Sequence, residues 1–118
     1  MKLKHHRFKK NEISEFLSNS TKHHTPFFTI FFKQNQQHPQ FAFIAPKRVG
    51  NAVQRNSIRR QFKSVFLKIL TQNLKNTSII IIAKNKMTQS NFNITYNMVL
   101  LSLKKKELIN ENNLHKSN

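Results

Sequence analysis

The sequence predicts a single α+β domain, built as an α/β sandwich, and three observations carry that prediction. The runs Phe27-Phe-Thr-Ile-Phe-Phe-Lys33 and Phe41-Ala-Phe-Ile-Ala45 have the aromatic and β-branched composition of strands. Ser78-Ile-Ile-Ile-Ile-Ala83 is apolar almost throughout, as in a strand buried on both faces. Between the last two lies a long stretch of helical periodicity, and strand, helix and strand in succession predict a βαβ unit with parallel strands. At 118 residues the chain has room for one core of ordinary size and not for two.

The elements follow in order. Residues 1–10 form a basic arm, extended at its start. Asn11 is placed to cap a short helix, with Glu12 and Glu15 near the positive end of its dipole. Ile13, Phe16 and Leu17 share one face of it. Pro26 precedes the first strand, one face of which reads Phe28, Ile30, Phe32 and the other Phe27, Thr29, Phe31, Lys33. Residues 34–40 are polar and predict a hairpin loop, with room for one more short strand somewhere in 21–40. After Pro46, Asn51 and Gln54 stand at capping-box spacing. Ile58, Phe62, Val65, Phe66, Ile69, Leu70 and Leu74 then recur at i, i+3 and i+4, the stripe of a core-facing helix. Phe92, Tyr96, Val99, Leu100 and Leu103 carry a last helix that ends near 104–108, leaving 11–108 as the domain and 109–118 as a flexible tail.

Charge narrows the function. The chain has 21 Lys and Arg against four Glu and no Asp, for a formal net charge of +17. No residue between Phe16 and Lys106 is acidic, so paired-carboxylate hydrolysis and a carboxylate-held magnesium lack their groups. Without Cys there is no disulfide frame, thiolate zinc site or thiol nucleophile. Adjacent His5-His6 and His23-His24 point apart in extended chain with no acid to complete a metal shell, and no acid is available to orient a His base. No apolar run approaches the ~20 residues of a membrane span, and the basic N-terminus lacks the apolar core of a secretory signal, so a cytoplasmic location is expected. A charge of this size calls for a polyanionic partner, with nucleic acid foremost.

The densest signal is Lys47, Arg48, Arg55, Arg59, Arg60 and Lys63, with no acid among them. Arg55, Arg59 and Lys63 stack at i, i+4 and i+8, a spacing at which like charges destabilise an isolated helix. A face selected only for solubility would intersperse Glu. The guanidinium fork suits phosphate oxygens. On the first strand, Phe27, Phe31 and Lys33 combine aromatic rings with a cation, the ingredients of a platform for single-stranded nucleic acid. A second core layer covered by a helix would explain the same rings.

Residues 41–66, FAFIAPKRVGNAVQRNSIRRQFKSVF, resemble the signature region of the bacterial ribonuclease P protein family. That pattern is a hydrophobic strand, a basic pair, a Gly-Asn-Ala-Val-like turn, an Arg-Asn-Arg motif and a basic helix. Arg7-Phe8-Lys9-Lys10, the isoleucine strand followed by Ala83-Lys84, and the closing helix fit as well, so the resemblance covers about residues 5–108. It implies a four-stranded sheet packed with helices, similar to the second domain of ribosomal protein S5, with a left-handed βαβ crossover where ordinary connections are right-handed. It further implies a protein subunit of an endoribonuclease, in which a catalytic RNA with Mg2+ removes the 5′ leader of precursor tRNA. The protein would bind that RNA and the leader, and neither membrane nor DNA. Magnesium would be held mainly by the RNA.

Carried over by position, the resemblance assigns Lys47, Arg48, Arg55, Asn56, Arg59, Arg60 and Lys63 to RNA binding. Phe16, Phe31, Lys33 and Lys84 are assigned to the leader. It assigns no catalytic residue and no metal ligand on the protein alone, with Asn56 a candidate ligand in the RNA complex. Ser57 replaces the motif's second Arg, so one expected phosphate contact is missing or supplied by a neighbour. The competing reading is a ribosomal or other structural RNA-binding protein with no share in catalysis.

Overall fold

A mixed sheet forms the middle layer of the computed structural model, which describes residues 6–34, 39–72 and 76–105. In chain order the elements are β1 (His6–Arg7), α1 (Lys10–Asn19), β2 (Thr21–His24), β3 (Phe28–Gln34), β4 (Gln40–Ile44), α2 (Ala52–Ile69), β5 (Thr77–Ala83) and α3 (Phe92–Lys105). The strands are ordered β1-β4-β5-β3-β2. Four of them, β2 to β5, make the expected sheet, and β2 is an additional short strand within the 21–40 span that left room for one. The two-residue β1 adds to the edge of β4, in parallel, where the sequence suggested only an extended arm.

β4 and β5 pair in parallel across α2, as the βαβ reading required. The expected hairpin between β3 and β4 does not form, because β5 lies between them, antiparallel to β3. Ile79, Ile80 and Ile81 are fully buried, and a central position flanks both edges of such a strand between layers that cover its two faces. A β3–β4 hairpin would leave one edge of the isoleucine run exposed to water and forfeit that burial.

The register sorts side chains into two layers. Phe28, Ile30 and Phe32 from β3, Ile79 and Ile81 from β5 and Phe41 from β4 enter the main core with Ile58, Phe62, Val65, Phe66 and Ile69 of α2 and Val99 and Leu103 of α3. Phe62 meets Phe28 edge-on at 5.9 Å, and Phe66 packs on Phe41 at 4.1 Å. Thr95 Oγ1 donates to Gln61 Oε1 at 2.7 Å, tying α3 to α2. His23 Nδ1 lies 2.7 Å from Ser102 Oγ, which donates to Met98 O and so joins α3 to β2.

α1 lies against the opposite face. Gln40 Nε2 donates to Glu12 Oε1 at 3.3 Å, and Ile13 shares a groove with Ala42 and Ile44, the β4 residues that point away from the main core. The helix begins before the expected cap at Asn11, because the Glu12 carboxylate accepts the Lys9 backbone N–H at 2.7 Å and satisfies the first turn from within. Positions 35–38 of the expected loop, Leu74, residues 1–5 and all residues after 105, with the tail expected at 109–118, fall outside the described residues.

Phe62 is 0% exposed and touches aromatic rings of two strands. Phe62→Ala is expected to cost about 3–5 kcal/mol of unfolding free energy in urea titration. A loss under about 1 kcal/mol would show that α2 does not organise this core.

Candidate nucleic-acid interface

The basic helix starts from a fixed cap. Gln54 N donates to Asn51 Oδ1 at 2.8 Å and Asn51 N to Gln54 Oε1 at 2.9 Å, the reciprocal box read from the sequence. A Cβ at Gly50 would collide with the Gln54 side chain, so the absence of a side chain at Gly50 is what lets the box close. Lys47 and Arg48 stand exposed in the short 3₁₀ turn Lys47–Val49 that leads into it.

With Ile58, Phe62, Val65, Phe66 and Ile69 buried, the motif residues are left on the other side of α2. Asn56, Arg60 and Lys63 are exposed, whereas Arg55 and Arg59 are half-buried. Arg59 Nη2 donates to Asn56 Oδ1, which orients the guanidinium along the helix. That bond also puts a cation at the one Asn56 atom able to ligate a metal. Arg55 Nε is buried with no hydrogen-bond partner among the described residues, an arrangement that costs desolvation until an acceptor arrives.

Arg59, Arg60 and Lys63 form one wall of a groove of about 730 Å³. Its floor is β4 from Phe41 to Ile44, and Arg7, Phe8 and Ile13 make the far wall. β1 pairs only with Gln40 and Phe41, so beyond them the outer edge of β4 has no strand partner among the described residues. A cationic rim over an apolar floor suits a strand of nucleic acid, with phosphates on the Arg side and bases or sugars below.

The second candidate surface is the sheet face turned away from α2 and α3. Phe31 is half-buried there opposite Ile80, and exposed Lys33 follows opposite Ser78. Lys84 lies at the far end, about 20 Å from Lys33 at ~3.3 Å per strand residue, with its Nζ donating to Thr25 O at 2.8 Å. Phe27 instead packs against the main core, so it leaves the platform that its alternation with Phe31 suggested. Phe16 also departs from expectation. It is only 8% exposed and its ring packs on Phe8 at 4.8 Å, so it presents no open face and fastens the arm to α1.

A family model described as Ribonuclease P matches residues 1–107. The chain belongs to the ribonuclease P protein family. The ribonuclease P protein components of Mesoplasma florum and Fusobacterium nucleatum are 35% and 32% identical to it over 89 residues, spanning 71% and 75% of this chain and 79% and 80% of theirs. The RNase P protein of Staphylococcus aureus superposes with a TM-score of 0.74 at 24% identity, covering 88% of this chain and 97% of that one. That of Thermotoga maritima gives a TM-score of 0.74 at 17% identity, covering 85% and 96%. The α+β architecture described above is therefore that of RNase P proteins, and a ribosomal protein is set aside.

Within this ribonuclease P protein fold, the motif assembles Arg59, Arg60 and Lys63 but leaves Arg55 outside the groove lining. Arg7, Phe8 and Ile44 are groove residues that the sequence reading did not assign to a binding site. Their signals were weak ones, a basic-aromatic pair in the arm and the alternation of β4. Among the described residues no group of three or more His, Asp or Glu converges to hold a metal ion.

Lys63 and Arg55 separate surface charge from packing. Lys63→Ala should leave the melting temperature unchanged and lower the log–log salt slope of RNA binding by about 0.7–0.9. Arg55→Ala, which removes a partly buried side chain, should lower both slope and melting temperature. A melting loss for Lys63→Ala equal to that of Phe62→Ala would assign Lys63 to the core.

Proposed function

We propose that this chain is the protein subunit of a ribonuclease P ribonucleoprotein, binding the catalytic RNA and the 5′ leader of precursor tRNA. The observation that carries the reading is the groove between α2 and β4, where three cations of one helix face an apolar floor with no acidic residue on that helix. Lys47, Arg48, Arg55, Asn56, Arg59, Arg60 and Lys63 contact the RNA subunit. The face bearing Phe31 and Lys33, with Lys84 at its end, receives the leader.

Chemistry resides in the RNA. Mg2+ needs several oxygen ligands, and among the described residues no group of three or more His, Asp or Glu comes together to supply them. The ion is held mainly by the RNA, and the protein's part is to neutralise phosphates that would otherwise repel and to orient the leader. No helix among the described residues is long and apolar enough to cross a membrane, and the working place of such a subunit is the cytoplasm. DNA is not a partner on this reading.

Two measurements test it. Protein freed of RNA should leave precursor tRNA intact in Mg2+, whereas adding it to a bacterial ribonuclease P RNA should permit 5′ cleavage at lower Mg2+. RNA-free cleavage, or no effect on the RNA, would overturn the proposal. Phe31→Ala should weaken binding of leader-bearing tRNA by about 1–3 kcal/mol and leave mature tRNA unchanged. Equal losses for both would remove Phe31 from the leader site.

A further inference from the structure

The sheet face that carries Phe31 is divided. α1 lies over its β4 side, through Glu12 with Gln40 and through Ile13 beside Ala42 and Ile44. Its other side is bounded by β2, the last strand of the sheet, which runs antiparallel to β3 with Lys22 opposite Phe31 and His24 opposite Thr29. Directly opposed residues of an antiparallel pair project from the same face. Lys22 and His24 therefore stand beside the Phe31 ring, on the side away from α2 and α3, and both are exposed.

His24 does not swing free at the edge. Its Nδ1 lies 3.1 Å from Thr29 Oγ1, and this contact keeps the imidazole over the sheet. Lys33 lies two residues beyond Phe31 on the same face and is also exposed. β2, β3 and β5 contain no acidic residue. Lys22 and Lys33 thus flank one aromatic ring beside the His24 imidazole, with no carboxylate from these strands to balance the two lysines, in a chain whose total charge already favours separation of cations.

We propose that Lys22 and His24 form the outer rail of a single-strand RNA site, holding the backbone phosphates of the nucleotides whose bases stack at Phe31. The inference rests on the reading of the Phe31 face as the leader site and adds the residues that hold the leader on its far side from α1. β2 holds by charge and ring-nitrogen hydrogen bonds to phosphate, so its contribution is salt-sensitive and indifferent to base identity. The rail engages only nucleotides that extend past Phe31 toward the β2 edge.

The test uses the full chain assembled with a bacterial ribonuclease P RNA, and precursor tRNAs with a long leader, a one-nucleotide leader or none. The double variant Lys22→Gln with His24→Gln should weaken binding of the long-leader substrate several-fold. It should also lower that substrate's salt slope by about 0.7, the share of the single Lys22–phosphate contact. The one-nucleotide leader and mature tRNA should bind as before, and Lys22→Arg should restore most of the Lys22 share. Unchanged far-ultraviolet circular dichroism and melting temperature keep the comparison on folded protein. Equal loss for all three RNAs, or no loss for the long leader, overturns the rail. If Phe31→Ala discriminates between leader-bearing and mature tRNA while the double variant does not, the rail fails and the leader site stands. If Phe31→Ala fails to discriminate, the leader-site reading itself is at fault.

Discussion

The burial of β5 on both faces is the constraint from which the rest of the structure follows. Three consecutive isoleucines at 0% exposure need cover above and below, and β4 and β3 on either side. Parallel pairing with β4 then requires a crossover long enough to return the chain, and α2 supplies it. α2 and α3 cover the face of Ile79 and Ile81. The face of Ile80 is closed by a lighter layer that includes α1, which leaves part of it accessible around Phe31. An accessible surface beside a dense core comes from covering one face with two long helices and the other with a single short one.

α2 serves the core and the surface at once, and its geometry keeps the two apart. Ile58, Phe62, Val65, Phe66 and Ile69 of its apolar stripe are buried, and its cations lie on the remaining arc. Stacked like charges weaken a helix by a few tenths of a kcal/mol per pair. Burying Phe62, Phe66 and Ile69 offsets this several times over at about 1.5–3 kcal/mol per large side chain. The Asn51–Gln54 box contributes at the start, where unpaired N–H groups would otherwise face water. The fold can therefore sustain an uncompensated cationic surface in the absence of its partner.

Much of this was legible in the sequence because it depends on local chemistry. Helix periodicity put Phe62 and Val65 inside and Arg59 and Lys63 outside. Capping spacing located the start of α2, and β-propensity located β3, β4 and β5. The family resemblance rested on a continuous string around the Gly50 turn, which sequence preserves intact. Strand order and the state of particular aromatics were not legible. Phe16, Phe27 and Phe31 are the same residue type in similar patterns, yet one is buried beneath the arm, one joins the main core and one borders an open face.

What the sequence by itself determined is which segments become helix or strand, which faces are apolar and where the positive charge accumulates, since each follows from spacing along the chain. Tertiary structure alone decided that β5 separates β3 from β4, because the choice compares the burial of whole strands in alternative orders. It also decided that Arg7 and Phe8 line one groove with Arg59 and Lys63 along β4, and that Lys22 stands beside Phe31. Those juxtapositions join segments distant in sequence through sheet register, and register is fixed only when all the strands compete for the same core.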